Sequence, residues 1–126
     1  MHLPTAFALA FTLAAAAAPT AANAAGDAAA GQKLFAKKCA MCHAPVKDQN
    51  KIGPSLWGVV GRKAGSLPSY TYSDAMKNAN RVWTAETLDD YLTNPRQKIP
   101  GVKMIFVGLP NPTDRQDIIA YLSTLK

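Results

Sequence analysis

An all-α domain, small and loop-rich, is the architecture this sequence predicts. Apolar residues recur at helical spacing in three segments, each entered through a residue type that caps helices. No strand pattern surrounds the one cysteine pair, and a stretch rich in Gly, Pro and Ser without any sustained period separates the first helical segment from the others. Three main helices, short helices and long loops follow from this pattern.

Asp27 caps the first helix, which runs through Gly31, Leu34 and Phe35 into the cysteine motif with Leu34 and Phe35 on its apolar side. Ser73 to Asn78 add one short helix. Thr84 caps the next main helix, where Leu88, Tyr91 and Leu92 share a face and Pro95 stands close behind the end. Thr113 and Gln116 form a capping box for the last helix, whose apolar face is Ile118, Ile119, Leu122 and Leu125. No internal repeat is visible.

The chemistry concentrates in Cys39-Ala40-Met41-Cys42-His43, which holds both cysteines and, His2 aside, the only histidine. This is the pattern that attaches haem covalently. On the last turns of a helix, residues three and four apart share a face. Cys39 and Cys42 can then each add to a vinyl group while His43 falls under the iron. A thioredoxin-like pair would sit near a βαβ pattern, and structural zinc would need a fourth ligand. A buried haem also explains the long aperiodic stretch between His43 and Ser73, since the ring supplies an apolar core for loops to wrap. Without haem the chain is expected to be largely unfolded.

Residues 1–24 read as a signal peptide. Leu3 to about Ala18 are nearly all apolar, and Ala22-Asn23-Ala24 has the A-x-A form of a cleavage site. A retained membrane anchor is the rival, but the run is short, alanine-dominated and interrupted by Pro4. Cleavage would leave residues 25–126, about one domain, in the periplasm, which agrees with haem attachment outside the cytoplasm. All the charged residues, with their formal net charge of +6, fall in that part. A basic surface suits an acidic partner; no nucleic-acid motif is present, so an acidic protein face fits best.

The second axial ligand decides whether the iron meets substrates or only electrons. The candidates are Met41, Met76, Met104, the lysines and water. Met41 points away from the iron if His43 points toward it, and a packing role is the default for Met76. Met104 follows Ile99-Pro100-Gly101-Val102-Lys103, a segment that can fold over a flat surface, and is the best sulfur ligand, although spacing alone leaves packing as an equal alternative.

The haem motif, Gly53-Pro54, Gly61-Arg62-Lys63, Tyr70 to Asp74, Trp83, Tyr91-Leu92, Asn94-Pro95, Ile99-Pro100-Gly101, Lys103 to Phe106 and Ile119 to Leu122 occur in one order and spacing. Over essentially the whole domain the chain resembles mitochondrial-type class I cytochrome c, in particular its bacterial periplasmic members of the c2 or c550 type. The resemblance implies that Cys39 and Cys42 carry the thioethers of one haem c, with His43 as proximal and Met104 as distal iron ligand. It implies that the Pro54 carbonyl orients His43, that Arg62, Tyr72 and Trp83 hold the propionates, that Tyr91 sits near the Met104 sulfur, and that Gly31 and Phe35 meet Ile118 and Tyr121. Val102 and Met76 depart from the family's usual Thr and Asn, which implies a less hydrated pocket and a shifted potential.

A His/Met-ligated iron has no open site, so the implied function is one-electron carriage without catalysis. The donor would be a quinol-oxidising, cytochrome bc1-like complex. The acceptor would be a terminal oxidase, reductase or reaction centre. Lys38, Lys51, Arg96 and Lys103 match family positions around the exposed haem edge, a ring thinned here by Gln97 and by Leu109 to Pro112. The implied docking is brief and salt-sensitive, by a monomer that touches membrane complexes only peripherally. The rivals are a haem enzyme or gas sensor with an open sixth position, and a membrane-tethered respiratory subunit.

Overall fold

The computed structural model describes residues 26–126; the expected signal peptide, 1–24, lies outside them. The described chain forms five helices, α1 (Ala28–Lys38), α2 (Asp74–Lys77), α3 (Ala85–Thr93), α4 (Pro95–Lys98) and α5 (Pro112–Leu122). Among the described residues there is no strand, only an isolated antiparallel bridge between Lys63 and Val82.

Local chemistry sets the helix starts. The Asp27 carboxylate accepts the N–H groups of Ala29 at 2.9 Å and Ala30 at 3.1 Å, satisfying two donors that a helix start leaves free. Thr84 and Thr87 exchange side-chain and backbone hydrogen bonds in a capping box at α3. Ser73 accepts the Met76 N–H at α2.

Three features differ from the sequence expectation. α5 begins at Asn111, whose side chain accepts the Thr113 N–H at 2.9 Å, with Pro112 in the first turn; the Thr113–Gln116 box is not the start. Pro95 both follows α3 and opens α4, capped by Asn94. The cysteine motif lies just beyond α1 rather than on it. At Cys39 φ is −120°, outside the helical range, and the N–H groups of Cys39 and Ala40 both turn back to the Phe35 carbonyl. A further turn follows, in which His43 N–H donates to the Cys39 carbonyl at 2.9 Å and Cys42 N–H at 3.1 Å.

α1 crosses α5, and Gly31 makes the crossing close. A Cβ built on Gly31 would collide with the Asp117 carbonyl and stand 2.9 Å from the Tyr121 Cβ. The Phe35 and Tyr121 rings pack edge to face at 5.3 Å, beside Ile118, which is only 1% exposed. The Asp27 N–H donates to the Asp117 carboxylate at 2.8 Å, closing the same corner.

α3 packs on α5 through Leu88, Ile118 and Leu122, and through a buried arginine. Arg115 donates to Asp89 at 2.8 Å and to the carbonyls of Leu109 and Pro110 at 2.9 and 3.1 Å. It thereby ties two helices to the loop leading into α5. Around the Lys63–Val82 bridge, three further backbone bonds join 61–64 to 81–83: Gly61 to Trp83, Trp83 to Arg62, and Ala64 to Arg81. These elements surround a cavity rather than a closed core.

Candidate haem site

The cavity measures about 390 Å³ and its walls are mainly apolar. Cys39, Cys42 and His43 form one wall, Trp83, Leu88 and Tyr91 the back, and Val102, Met104 and Phe106 another face. That size falls within the roughly 300–1,000 Å³ of ordinary cofactor pockets.

His43 is held from behind. Its Nδ1 lies 2.7 Å from the Pro54 carbonyl oxygen, which can only accept, so Nδ1 carries the proton and the neutral ring keeps its lone pair on Nε2. Burial pushes the His43 pKa down, and the charges of Arg62 and Lys51 push the same way against the opposing pull of Pro54. The imidazole is therefore neutral and available as a ligand. Gly53 leaves it room, since a Cβ there would stand 2.7 Å from Nδ1 and closer still to Cε1.

Cys39 and Cys42 form no disulfide and are both half-buried. Burial, and then the neighbouring Cys42, push the Cys39 pKa up to about 11. A redox-active pair needs a thiolate attacker of depressed pKa, and Cys39 has the opposite environment. Zinc fares no better: among the described residues, no three His, Cys, Asp or Glu side chains are grouped to hold a metal ion.

Two methionines, Met76 and Met104, reach the cavity, whereas Met41 is turned out to solvent and 82% exposed. Met76 rides on α2. Met104 sits in an irregular segment that turns at Gly101, where φ is +92°. The Tyr91 hydroxyl is buried and has no hydrogen-bond partner among the described residues, and burial pushes its pKa up to about 12 although Arg81 draws it down. A neutral buried O–H without an acceptor fits a cavity whose occupant or its ligand supplies one. Arg62, Tyr72 and Trp83 line the same cavity, with Arg62 also bonding the Ser55 and Trp57 carbonyls at 3.0 and 3.2 Å.

The four docking candidates divide. Lys38 and Lys103 line the cavity mouth; Lys51 and Arg96 do not. The Lys51 ammonium bonds the Ala40 carbonyl, and that of Lys103 bonds the Thr71 carbonyl at 2.6 Å. Exposed Ile52 and Ile105 line the mouth beside them.

The cytochrome c family model matches residues 28–126. The chain belongs to the cytochrome c family. Cytochrome c of Euglena viridis is 50% identical over 99 residues, spanning 79% of this chain and 97% of that protein. Cytochrome c2 of Rhodopila globiformis is 49% identical over 96 residues, or 76% and 91% of the two chains. Among solved structures, cytochrome cH from Methylobacterium extorquens superposes with a TM-score of 0.74 at 47% identity, covering 79% of this chain and 99% of the other. The fold is that of class I cytochrome c, and the cofactor of this cytochrome is covalently attached haem c, for which Cys39 and Cys42 have the required spacing.

Sequence reasoning missed three residues of this cytochrome's framework. Ser55 is buried and accepts the Trp57 N–H while donating to the Val46 carbonyl. Arg115 and Arg81 are the others. An arginine in an amphipathic helix or a loop reads as surface, so the sequence pattern gives neither of them away.

Proposed function

We propose that the protein is an exported one-electron carrier, not an enzyme. The observation that carries this reading is the cavity itself, which gathers Cys39, Cys42, a neutral His43 fixed on Pro54, and Met104. Haem c bound there supplies the electron store, its iron alternating between Fe(III) and Fe(II).

The chain's residues do the rest. Cys39 and Cys42 anchor the ring by thioether bonds. His43 would ligate through Nε2, its basicity raised by the Nδ1–H bond to Pro54. Met104 would supply the second ligand, in which case no coordination site would stay open to substrate and the thioether would raise the reduction potential. Arg62, Tyr72 and Trp83 hold the propionates, and Tyr91 offers its hydroxyl to the Met104 sulfur. Leu88, Val102 and Leu122 keep water from the cavity and the charge response around the ring small.

Lys38 and Lys103, with Lys51 and Arg96 further out, steer the mouth toward acidic faces of a quinol-oxidising donor and of an oxidase, reductase or reaction centre. Residues 1–24 serve as a cleaved signal peptide for the periplasm, and the protein works as a monomer. Among the described residues no helix is long and apolar enough to cross a membrane.

Optical spectra of oxidised and reduced protein, with and without carbon monoxide, test the reading. A low-spin spectrum with a sulfur-to-iron charge-transfer band, unmoved by carbon monoxide, supports His43/Met104 ligation. Prompt carbon monoxide binding would transfer the protein to the haem enzymes or gas sensors. The mass of the purified protein reports whether cleavage follows Ala24.

A further inference from the structure

Two buried polar side-chain atoms lack a hydrogen-bond partner among the described residues, Tyr91 Oη and Arg81 Nη1. Tyr91 faces the cavity and is accounted for above. Arg81 is absent from the cavity lining, and nothing in the proposed function uses it.

Arg81 is fixed from its backbone outward. Its carbonyl accepts the Ala64 N–H at 2.7 Å, beside the Lys63–Val82 bridge, so the side chain leaves a pinned segment. Its guanidinium carbon lies 6.0 Å from the centre of the Trp83 ring. Trp83 in turn packs on Tyr91 at 4.9 Å, and both rings line the cavity. The cation therefore stands one aromatic layer behind the cavity wall.

Its counter-charge is shared. Asp90 Oδ1 accepts from the Lys98 ammonium at 2.5 Å, while Oδ2 is 3.6 Å from Arg81 Nη1, close enough for attraction and too far for a hydrogen bond. One carboxylate thus faces two cations, leaving one positive charge in excess. Lys98 and Asp90 are wetter than Arg81, so solvent screens them more than it screens the guanidinium behind Trp83.

We propose that Arg81 is a positioned charge that sets the reduction potential of the bound haem, with Asp90 and Lys98 setting how much of that charge the cavity feels. Taking up an electron lowers the positive charge inside the cavity by one, so a cation behind Trp83 favours the reduced state. Arg81 acts through the field and touches neither the ring nor the iron. The inference rests on the haem reading, and a fold-brace role is its alternative.

The test is the midpoint potential of holoprotein variants by spectroelectrochemistry, with the optical spectrum recorded alongside. Arg81→Met keeps most of the stem without the charge, and should shift the electron equilibrium against a fixed redox reference threefold to tenfold toward the oxidised form, tenfold being about 59 mV for one electron. Asp90→Asn removes the neutralising charge and should shift it toward the reduced form. Arg81→Lys should recover most of the wild-type value. Opposite signs for Arg81→Met and Asp90→Asn establish a field effect, because a loosened fold would move both the same way. Equal signs, or an Arg81→Met midpoint matching wild type, overturn the proposal. Should Arg81→Met not fold, an Asp90→Asn shift toward the reduced form supports it and any other result overturns it. A wild-type spectrum without His/Met character would instead overturn the reading of function, whatever the midpoints do.

Discussion

Replacing Gly31 by alanine sets two effects of known size against each other. In an unobstructed helix the change should stabilise by about 0.8–1.0 kcal/mol through helix propensity. In α1 the new methyl would overlap the Asp117 carbonyl and press the Tyr121 Cβ. Overpacking generally costs about 1–3 kcal/mol, and a backbone obstacle that cannot rotate away places this site in the upper half of that range. The net expectation is a loss of about 1–2 kcal/mol, or roughly 5–15 °C in Tm for a domain of this size. Thermal and guanidinium unfolding of the holoprotein, followed by helical dichroism, measure it. Gln32→Ala, next in the helix and exposed, is the control and should stay within about 0.5 kcal/mol. A Gly31→Ala protein as stable as wild type would refute the close crossing of α1 and α5 at this residue.

Gly53→Ala should push the His43 ring off its Pro54 bond, since the added Cβ would lie inside contact distance of the imidazole; a weakened low-spin spectrum is expected, and an unchanged one counts against that geometry. Arg115→Met abandons two carbonyls and the half-exposed Asp89 carboxylate, and should cost about 1–3 kcal/mol in denaturant unfolding, the usual loss when buried acceptors are left unpaired. Protein with Cys39 and Cys42 both replaced by serine should lack a cooperative melt, because the walls of a cavity of about 390 Å³ have nothing to pack on; native-like dichroism in that variant would contradict a haem-built core. Lys103→Glu, at the cavity mouth, should slow electron transfer to an acidic partner and flatten its dependence on ionic strength. Rates unaffected by the change would remove this face from docking.

The site was more legible in the sequence than the scaffold around it. The cysteine motif is local, and its chemistry survives a wrong guess about the helix end; α1 stops at Lys38, before the whole motif, without spoiling the spacing. Asp27 and Thr84 were readable because their capping bonds stay within three residues. Asn111 was missed because Thr113 and Gln116 offer a plausible box, while Pro112 favours a start two residues earlier. α4 was hidden for the same reason, since Pro95 serves equally as stop and as first-turn residue. Arg81, Arg115 and Ser55 could not be read at all: their contacts depend on where distant loops return, and periodicity carries no such information.

The corner where Asp27 meets Asp117 joins residues 90 positions apart. The first and last helices thus form a clasp, and it cannot shut until nearly the whole domain is in hand. The loop it closes is long, but the entropy surrendered in closing it grows only slowly with length. Because Ile118 and Leu122 of α5 line the cavity, its wall is incomplete until the last helix has been made and docked on α1.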